Sequence, residues 1–448
     1  MRPIRCLRFA LVNLVTIAVC ALPALGQKLL PPPGGHVFTL TPTPGHFTEP
    51  GVAVNPRNPR QVVVVYQFTA AAAYTRNGGK TWQLATGVPP PNYKMSGDVS
   101  IAFDNQGHAI YDCIAFDKLG TFNYWAHGAT RNGIFDRRSL DGGKIWQPTL
   151  HTVSAWPTEP GIPFEDKPYI VADNSHSKYA GNLYIGWTRW TLTDSRMLLS
   201  RSTDDGRTWS RPIEISHDRG LPRDDNGALE GFDGAVGPDG TLYAVWAHTN
   251  RIDFTESHDG GRTFTTSHPI VHTAPTMFAV QGMDRANGFP QIAIDPRGGP
   301  KGGPIYVSWS DYRNGEVDVF LIRSTDHGQT WSQPVKVNTD PVHDGSDHFF
   351  QWMAVDPVTG AVNLVFYDRR EDPANRQQIV VLARSTDGGK TFRNYAWTDQ
   401  PFNPHGVFMG DYLGLAAYGN KVYGAWPIHP AGAKGTLLQV GVANFNRK

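Results

Sequence analysis

One eight-residue pattern recurs six times and constrains the fold of this chain more than any other feature. Each copy begins with Ser or Thr, has Asp or Asn at its third position and Gly at its fifth, and ends with Trp or Phe. The copies start at Thr75, Ser139, Ser202, Ser257, Ser324 and Ser385, and successive starts lie 55 to 67 residues apart. Hydroxyl and carboxylate side chains bond turn amides, Gly permits a positive φ, and the aromatic residue is buried as the next strand begins. The pattern therefore predicts a structural hairpin turn, repeated at the period of a solenoid, array or propeller.

A second pattern recurs upstream of each turn: an apolar strand, a short turn and an aromatic-rich strand. Its seven copies are 52–66, 101–116, 170–187, 235–246, 292–309, 353–367 and 415–426. The seventh copy is followed only by a strand-like segment, 437–445, while the β-rich segment 36–41 has no repeat of its own. We expect an all-β, seven-bladed propeller in which the N-terminal strand completes the last blade and so removes exposed sheet edges. Six blades with an additional hairpin is the alternative.

The first 26 residues have the features of a secretory signal peptide. Arg2, Arg5 and Arg8 precede an apolar run, and small residues occur at 24 and 26. Cleavage there predicts a secreted or periplasmic protein with one domain, 27–448. It also changes the formal net charge from +1 to −2 and leaves Cys113 as the sole cysteine, so no intramolecular disulfide can form.

Composition excludes several classes of function. Near-neutral charge gives no electrostatic footprint for nucleic acid. The 47 Gly and 35 Pro residues are too many for a helical bundle, and 40% hydrophobic residues are too many for a disordered chain. No segment after the leader is long and apolar enough to span a membrane as a helix. We expect a monomer with no nucleic-acid or membrane partner.

The turn motif resembles the Asp-box, or bacterial neuraminidase repeat, of the sialidase superfamily. The six copies cover nearly the whole chain after the leader, and 166–168, 367–370 and 410–412 are similar to segments of secreted bacterial sialidase-like proteins. The resemblance implies a β-propeller that carries its substrate pocket around the axis, on the face opposite the Asp-boxes. Fold does not by itself specify function, because propellers of this kind serve as hydrolases, lyases and binding modules.

Charged residues collect where the blade ends would meet on that face. Those just before the first strands of blades are Glu49, Asp98, Glu165, Asp166, Glu230, Asp233, Asp344, Asp347, His348, His405 and Asp411. Those at or after the second strands are Arg189, His248, Asp311, Arg313, Asp368, Arg369 and Arg370. Charges crowded around an axis shift one another's pKa, which acid–base chemistry requires, although exposed loops also attract charge.

The resemblance to sialidases implies roles for some of these residues. Arg189, Arg313 and Arg369 could form a carboxylate clamp, Asp166 or Asp98 the acid, and Tyr412 or Tyr367 with Glu230 the nucleophilic pair. The remaining candidate substrate-binding residues are Arg370, Asp311, Asp368, Glu49, Asp411, His348 and His405.

The first blade departs from the family. It reads Phe47-Thr48-Glu49-Pro50, with Glu49 near the position where sialidases carry an arginine, which favours a different sugar or lost catalysis. The leading expectation is a sialidase-like glycoside hydrolase that acts on glycans and needs no metal or cofactor. A polysaccharide lyase that acts on uronate-containing glycans, with His348, His405 or Tyr412 as base, is one alternative. A non-catalytic glycan- or protein-binding propeller is the other.

Overall fold

The computed structural model describes residues 28–446 except 68–70, 88–91, 123, 158–162 and 276. The expected signal peptide, 1–26, lies outside the described residues. Within the described part, no helix has the length and apolar character needed to cross a membrane.

The described residues form thirty β-strands. In chain order they are β1 (His36–Thr39), β2 (Gly51–Val54), β3 (Val62–Tyr66), β4 (Ala71–Thr75), β5 (Gln83–Leu84), β6 (Met95–Phe103), β7 (Ala109–Phe116), β8 (Asn132–Ser139), β9 (His151–Trp156), β10 (Phe164–Ala172), β11 (Leu183–Trp190), β12 (Ser195–Ser202), β13 (Ile213–Glu214), β14 (Leu229–Val236), β15 (Leu242–His248), β16 (Arg251–Ser257), β17 (His268–His272), β18 (Met277–Phe278), β19 (Ala286–Asn287), β20 (Gln291–Ile294), β21 (Ile305–Asp311), β22 (Asp318–Ser324), β23 (Val335–Lys336), β24 (His348–Val355), β25 (Val362–Asp368), β26 (Ile379–Ser385), β27 (Arg393–Ala396), β28 (Gly414–Tyr418), β29 (Lys421–Ile428) and β30 (Leu437–Asn444).

These strands form seven four-stranded antiparallel sheets, which confirms the seven-bladed propeller and excludes the six-bladed alternative. Blades 1 to 4 contain β2–β5, β6–β9, β10–β13 and β14–β17; blades 5 and 6 contain β20–β23 and β24–β27. The first strands of neighbouring blades contact one another all round the ring, so they are the innermost strands. The short ribbon β18–β19 is inserted between blades 4 and 5.

The N-terminal strand closes the ring, as the sequence predicts. Blade 7 has the strand order β1-β30-β29-β28, and β1 runs antiparallel to β30 with His36 opposite Val442 and Thr39 opposite Gln439. Two distant parts of the chain thus share one sheet, so opening the ring would break the pairing between β1 and β30.

The apolar core lies between the faces of adjacent blades. One cluster packs Ile110 and Ile134 of blade 2 against Ile170, Ile185 and Trp187 of blade 3, all buried. Equivalent clusters join the other blades, which explains why the inner hairpins read as apolar and aromatic runs.

The Asp-box turns connect the two outer strands of their blades and contact the preceding blade. In the first turn, the Thr75 hydroxyl donates to Asn77 Oδ1 (2.9 Å) and accepts the Gly79 amide (3.1 Å). Gly79 has φ +81°, and a Cβ there would lie 2.8 Å from Cγ2 of Val442 in blade 7. The glycine therefore permits both the left-handed turn and the close approach of the two blades.

Candidate active site

A cavity of about 250 Å³ lies at the end of the propeller where the innermost strands begin. It is lined by residues of blades 1, 2, 3, 4 and 7, together with the insertion between blades 4 and 5. Its ionisable lining residues are Glu49, Asp98, Asp166, Lys167, Asp224, Glu230, Asp284, Arg285 and Asp411. Five of them, Glu49, Asp98, Asp166, Glu230 and Asp411, are candidates from the sequence, which the fold brings together from five separate blades.

The backbone is strained where it enters the cavity. Glu49, Asp98 and Lys167 have φ values of +52°, +43° and +48°, in the left-handed region that residues with a Cβ seldom occupy. The pairing register of β6 and β10 shifts at Asp98 and Lys167, so both lie in β-bulges. Each left-handed residue costs about 1–3 kcal/mol, and such strain clusters at functional sites. The cavity is therefore the first candidate for a site of activity.

Asp98 and Asp166 form the first of two carboxyl pairs. The Lys167 amide donates to both, at 3.2 Å from Asp98 Oδ2 and 3.1 Å from Asp166 Oδ1. The indole of Trp190 donates to the other oxygen of Asp166 at 2.8 Å. Burial, and then the charge and hydrogen bond of Asp98, raise the pKa of Asp166 well above its usual range. Two carboxyls that share a hydrogen bond hold one proton between them, so this pair can donate a proton.

Glu230 and Asp224 form the second pair. Burial, followed by the charges of Asp224 and Asp166, raises the pKa of Glu230 well above its usual range. Burial also raises the pKa of Asp224, while the charge of Arg285 opposes that rise. Because Glu230 interacts electrostatically with Asp166, the protonation states of the two pairs depend on each other.

Arg285 is held by carboxylates and is not free to bind an anion. Its Nε lies 2.8 Å from Asp411 Oδ1, its Nη2 donates to the other oxygen of Asp411, and its Nη1 lies 3.4 Å from Asp224. Burial lowers the pKa of Arg285, but Asp411, Asp224 and Glu49 outweigh this effect and hold that pKa well above its usual value. The guanidinium thus neutralises two walls of the cavity.

The second cation, Lys167, lies against aromatic rings. Its Nζ is 4.1 Å from the ring centre of Tyr412 and 4.8 Å from that of Phe289. Within the described residues, no carboxylate oxygen lies within 4 Å of this ammonium. Lys167 therefore contributes positive charge to the cavity without closing an ion pair.

Glu49 is the most deeply buried carboxyl in the cavity, with 1% of its surface exposed. Its Oε1 accepts the Asp411 amide at 3.2 Å, whereas its Oε2 has no hydrogen-bond partner among the described residues. Burial, and then the charges of Asp98 and Asp411, raise the pKa of Glu49 well above its usual range. The position at which sialidases carry an arginine is thus occupied by a buried acid with an unsatisfied oxygen.

The predicted arginine clamp does not form. Arg189, Arg313 and Arg370 are each engaged by a carboxylate of their own blade, namely Glu165, Asp311 and Asp368. None of the predicted arginines lines the cavity. Since Asp311 and Asp368 are fully engaged in these ion pairs, they also lie outside the cavity.

Arg369 likewise lies outside the cavity, fully buried in blade 6. It donates to the carbonyls of Gln281 (2.8 Å) and Asn375 (2.7 Å) and to the side chain of Gln378. Burial lowers its pKa to about 10. Its bond to Gln281 ties blade 6 to the inserted segment that carries Arg285.

The predicted tyrosine nucleophiles are not presented to the cavity. Tyr367 is fully buried and its hydroxyl donates to the Pro427 carbonyl at 2.6 Å. The Tyr412 hydroxyl donates to the Val99 carbonyl at 3.1 Å, and only its ring approaches Lys167. Burial raises the pKa of both phenols well above the usual value, so neither is readily ionised.

The two candidate histidines also lie elsewhere. His348 is fully buried, with its Nε2 3.3 Å from Asp340 and 3.4 Å from Asp368. His405 is exposed and its ring lies 6.0 Å from that of His429. Neither lines the cavity, so the lyase alternative loses both of its histidine bases.

Sequence reasoning missed Asp224, Asp284 and Arg285. They come from long connections between blades, 217–228 and 273–290, which belong to no repeat. The signal available in the sequence was the irregular spacing: the interval between the fourth and fifth Asp-boxes, 67 residues, is the longest.

Comparison with known proteins agrees with this architecture. The family model for the BNR/Asp-box repeat matches residues 322–333, which include the fifth turn. A sialidase of Bacteroides fragilis (strain YCH46) is 26% identical over 206 residues, which cover 45% of this chain and 29% of that protein. A Hadza microbial sialidase superposes with a TM-score of 0.50 at 16% identity, over 86% of this chain and 73% of the other. The chain is a sialidase-like Asp-box β-propeller.

Other propellers share this fold. An ulvan lyase, described as a new family of polysaccharide lyase, superposes with a TM-score of 0.50 at 11% identity over 89% of this chain and 94% of its own. At such identities the likeness concerns the fold. The match to the curated Bacteroides sialidase spans less than a third of that protein.

Proposed function

We propose that this sialidase-like propeller is a secreted, monomeric glycoside hydrolase whose active site is the axial cavity. One observation carries the proposal: two carboxyl pairs, Asp98–Asp166 and Asp224–Glu230, face one small cavity and hold shared protons. Hydrolysis of a glycosidic bond needs a carboxylic acid to protonate the leaving oxygen and a carboxylate on the other side of the sugar. The sialidase and lyase relatives support a carbohydrate substrate.

Asp166 is the general acid in this proposal. Its raised pKa keeps it protonated near neutral pH, and the Trp190 indole fixes the orientation of its carboxyl. Asp98 lies beside it and maintains the shared proton. A positioned acid of this kind contributes about 10²- to 10⁴-fold to the rate.

Glu230 is the base or nucleophile, with Asp224 as the residue that positions it and accepts its proton. The electrostatic interaction between Glu230 and Asp166 supports the assignment, because ionisation of one favours the protonated form of the other. A carboxylate takes this role because the hydroxyls of Tyr412 and Tyr367 are committed to backbone carbonyls.

The test is an activity screen of the purified protein on sialosides, neutral glycosides, amino-sugar glycosides and uronate-containing polysaccharides. Release of reducing sugar, lost in Asp166→Asn and kept in Asp344→Asn, is the expected result. Asp344 is a matched control because it is an exposed aspartate outside the cavity. Absorbance from an unsaturated uronate would instead identify a lyase, and no turnover of any substrate would contradict the enzymatic proposal.

A further inference from the structure

We infer that the axial cavity binds the ammonium group of an amino sugar, with Glu49 and Gln67 as its acceptors. This inference rests on the proposed function, since it names the substrate class of the same cavity. The substrate would be a glycan that carries a free amine, in place of the carboxylate-bearing sugar on which a sialidase acts.

Two buried acceptor oxygens on the wall formed by blade 1 lack partners. They are Glu49 Oε2 and Gln67 Oε1, and both residues line the cavity. The Gln67 amide bonds to the carbonyl of Thr48 at 2.9 Å, which places the two side chains on neighbouring stretches of backbone. A buried polar atom without a partner costs about 1–3 kcal/mol, so this wall favours a ligand that supplies donors.

An ammonium fits these acceptors better than the other groups that sugars carry. It offers three N–H donors and no acceptor, whereas a hydroxyl offers one donor and a carboxylate none. Hydrogen bonds to a charged donor are also stronger than those between neutral groups. The cavity of about 250 Å³ lies just below the range of about 300–1,000 Å³ typical of ligand pockets, which suits a single sugar unit.

The charge of the cavity has the matching sign. Among the described residues, seven carboxyl side chains and two cationic side chains line it. Arg285 is already engaged by Asp411 and Asp224, and Lys167 lies against two rings. A carboxylate-bearing sugar would therefore meet an excess of acids and no arginine available to grip it.

Binding of an ammonium should displace a proton from Glu49. The titratable groups that act on Glu49 are Asp98 and Asp411, which raise its pKa, and Lys167 and Arg285, which lower it. An amine comparable to an α-amino group, with a pKa near about 8, is protonated at pH 6. The protonated amine then forms an ion pair with the Glu49 carboxylate, and the carboxyl proton passes to the buffer.

The test is isothermal titration calorimetry at pH 6, in two buffers with different ionisation enthalpies. The probes are glucosamine, galactosamine and mannosamine, each with its N-acetyl derivative and its amine-free parent hexose. We expect at least one amino sugar to bind about 10- to 100-fold more tightly than its two partners, with proton release. Glu49→Gln should abolish that preference and the proton release, Gln67→Met should reduce the preference, and Asp344→Asn should retain both.

Equal binding of the three forms, tighter binding of the N-acetyl form, or no binding of any probe would overturn the inference. A preference for the amine that survives unchanged in both Glu49→Gln and Gln67→Met would also overturn it. The calorimetry is independent of turnover, so amine-selective binding without hydrolysis would refute only the hydrolase proposal. Hydrolysis of neutral glycosides without amine selectivity would refute only the present inference.

Discussion

The contact between an Asp-box glycine and the preceding blade predicts a defined loss of stability in Gly79→Ala. The new Cβ would lie 2.8 Å from Cγ2 of Val442 and 3.0 Å from Cε1 of Tyr423, both in blade 7. A left-handed residue with a Cβ costs about 1–2 kcal/mol, and overpacking adds about 1–3 kcal/mol. The variant should therefore lose roughly 2–5 kcal/mol of unfolding free energy.

Gly432→Ala is the matched control for this substitution. Gly432 has φ +75°, close to the +81° of Gly79, and a Cβ there would meet no atom within 4 Å. It should lose only the conformational part, about 1–2 kcal/mol. Urea unfolding followed by tryptophan fluorescence measures both, and Val442→Ala combined with Gly79→Ala should show a favourable coupling of about 1–3 kcal/mol. Equal losses in the two glycine variants, with no coupling, would refute the account of how the blades pack.

Two further predictions concern buried carboxylates. Trp209→Phe removes the indole N–H that donates to Asp136 Oδ1 at 2.6 Å across the blade 2–3 interface, and should cost about 1–3 kcal/mol in urea unfolding at pH 7. Burial already raises the pKa of Asp136, and losing this donor raises it further; a loss no larger at pH 7 than at pH 4.5 would contradict the prediction. Arg285→Gln removes the cation that opposes the raised pKa of Asp224. The folded-state pKa then rises further above the unfolded value, so the loss of stability relative to the wild type should grow from pH 5 to pH 8; a constant loss across that range would count against the proposed role of Arg285.

The architecture could be predicted because it repeats. Each Asp-box carries its own hydrogen bonds, as in the bonds from Ser324 to Asp326 and from the Gly328 amide to Ser324. Counting inner hairpins against turns was enough to show that a strand was missing. The pairing of His36 with Val442 followed from the topology of a closed ring.

The site could be predicted only in part, because half of it does not repeat. Asp98, Asp166 and Glu230 begin innermost strands, and the ring brings such positions to the axis whatever their function. Arg285 instead comes from an inserted segment that has no counterpart in other blades. Its partners cannot be read from sequence spacing, since Asp411 lies 126 residues away.

The arginines were misassigned for a local reason that is visible in the sequence. In Asp311–Arg313 and Asp368–Arg370, a carboxylate precedes an arginine by two positions at the end of a strand. Residues two apart on a strand lie on the same face, so each arginine meets its own aspartate before any ligand. The strand-end arginines stabilise their blades and leave the axis to the acids.

The pH dependence of kcat/KM, measured for the wild type and Asp166→Asn on the best substrate from the screen, tests the central claim most directly. The wild type should show a bell-shaped profile whose acid limb lies above pH 4.5, because the pKa of Glu230 is raised and activity requires its ionised form. Its alkaline limb should report loss of the Asp166 proton. Asp166→Asn should lose that limb and about 10²- to 10⁴-fold in rate on an alkyl glycoside, and less on an activated aryl glycoside, which needs no acid. An unchanged profile in Asp166→Asn, or equal losses on both substrates, would contradict the assignment of Asp166 as the acid.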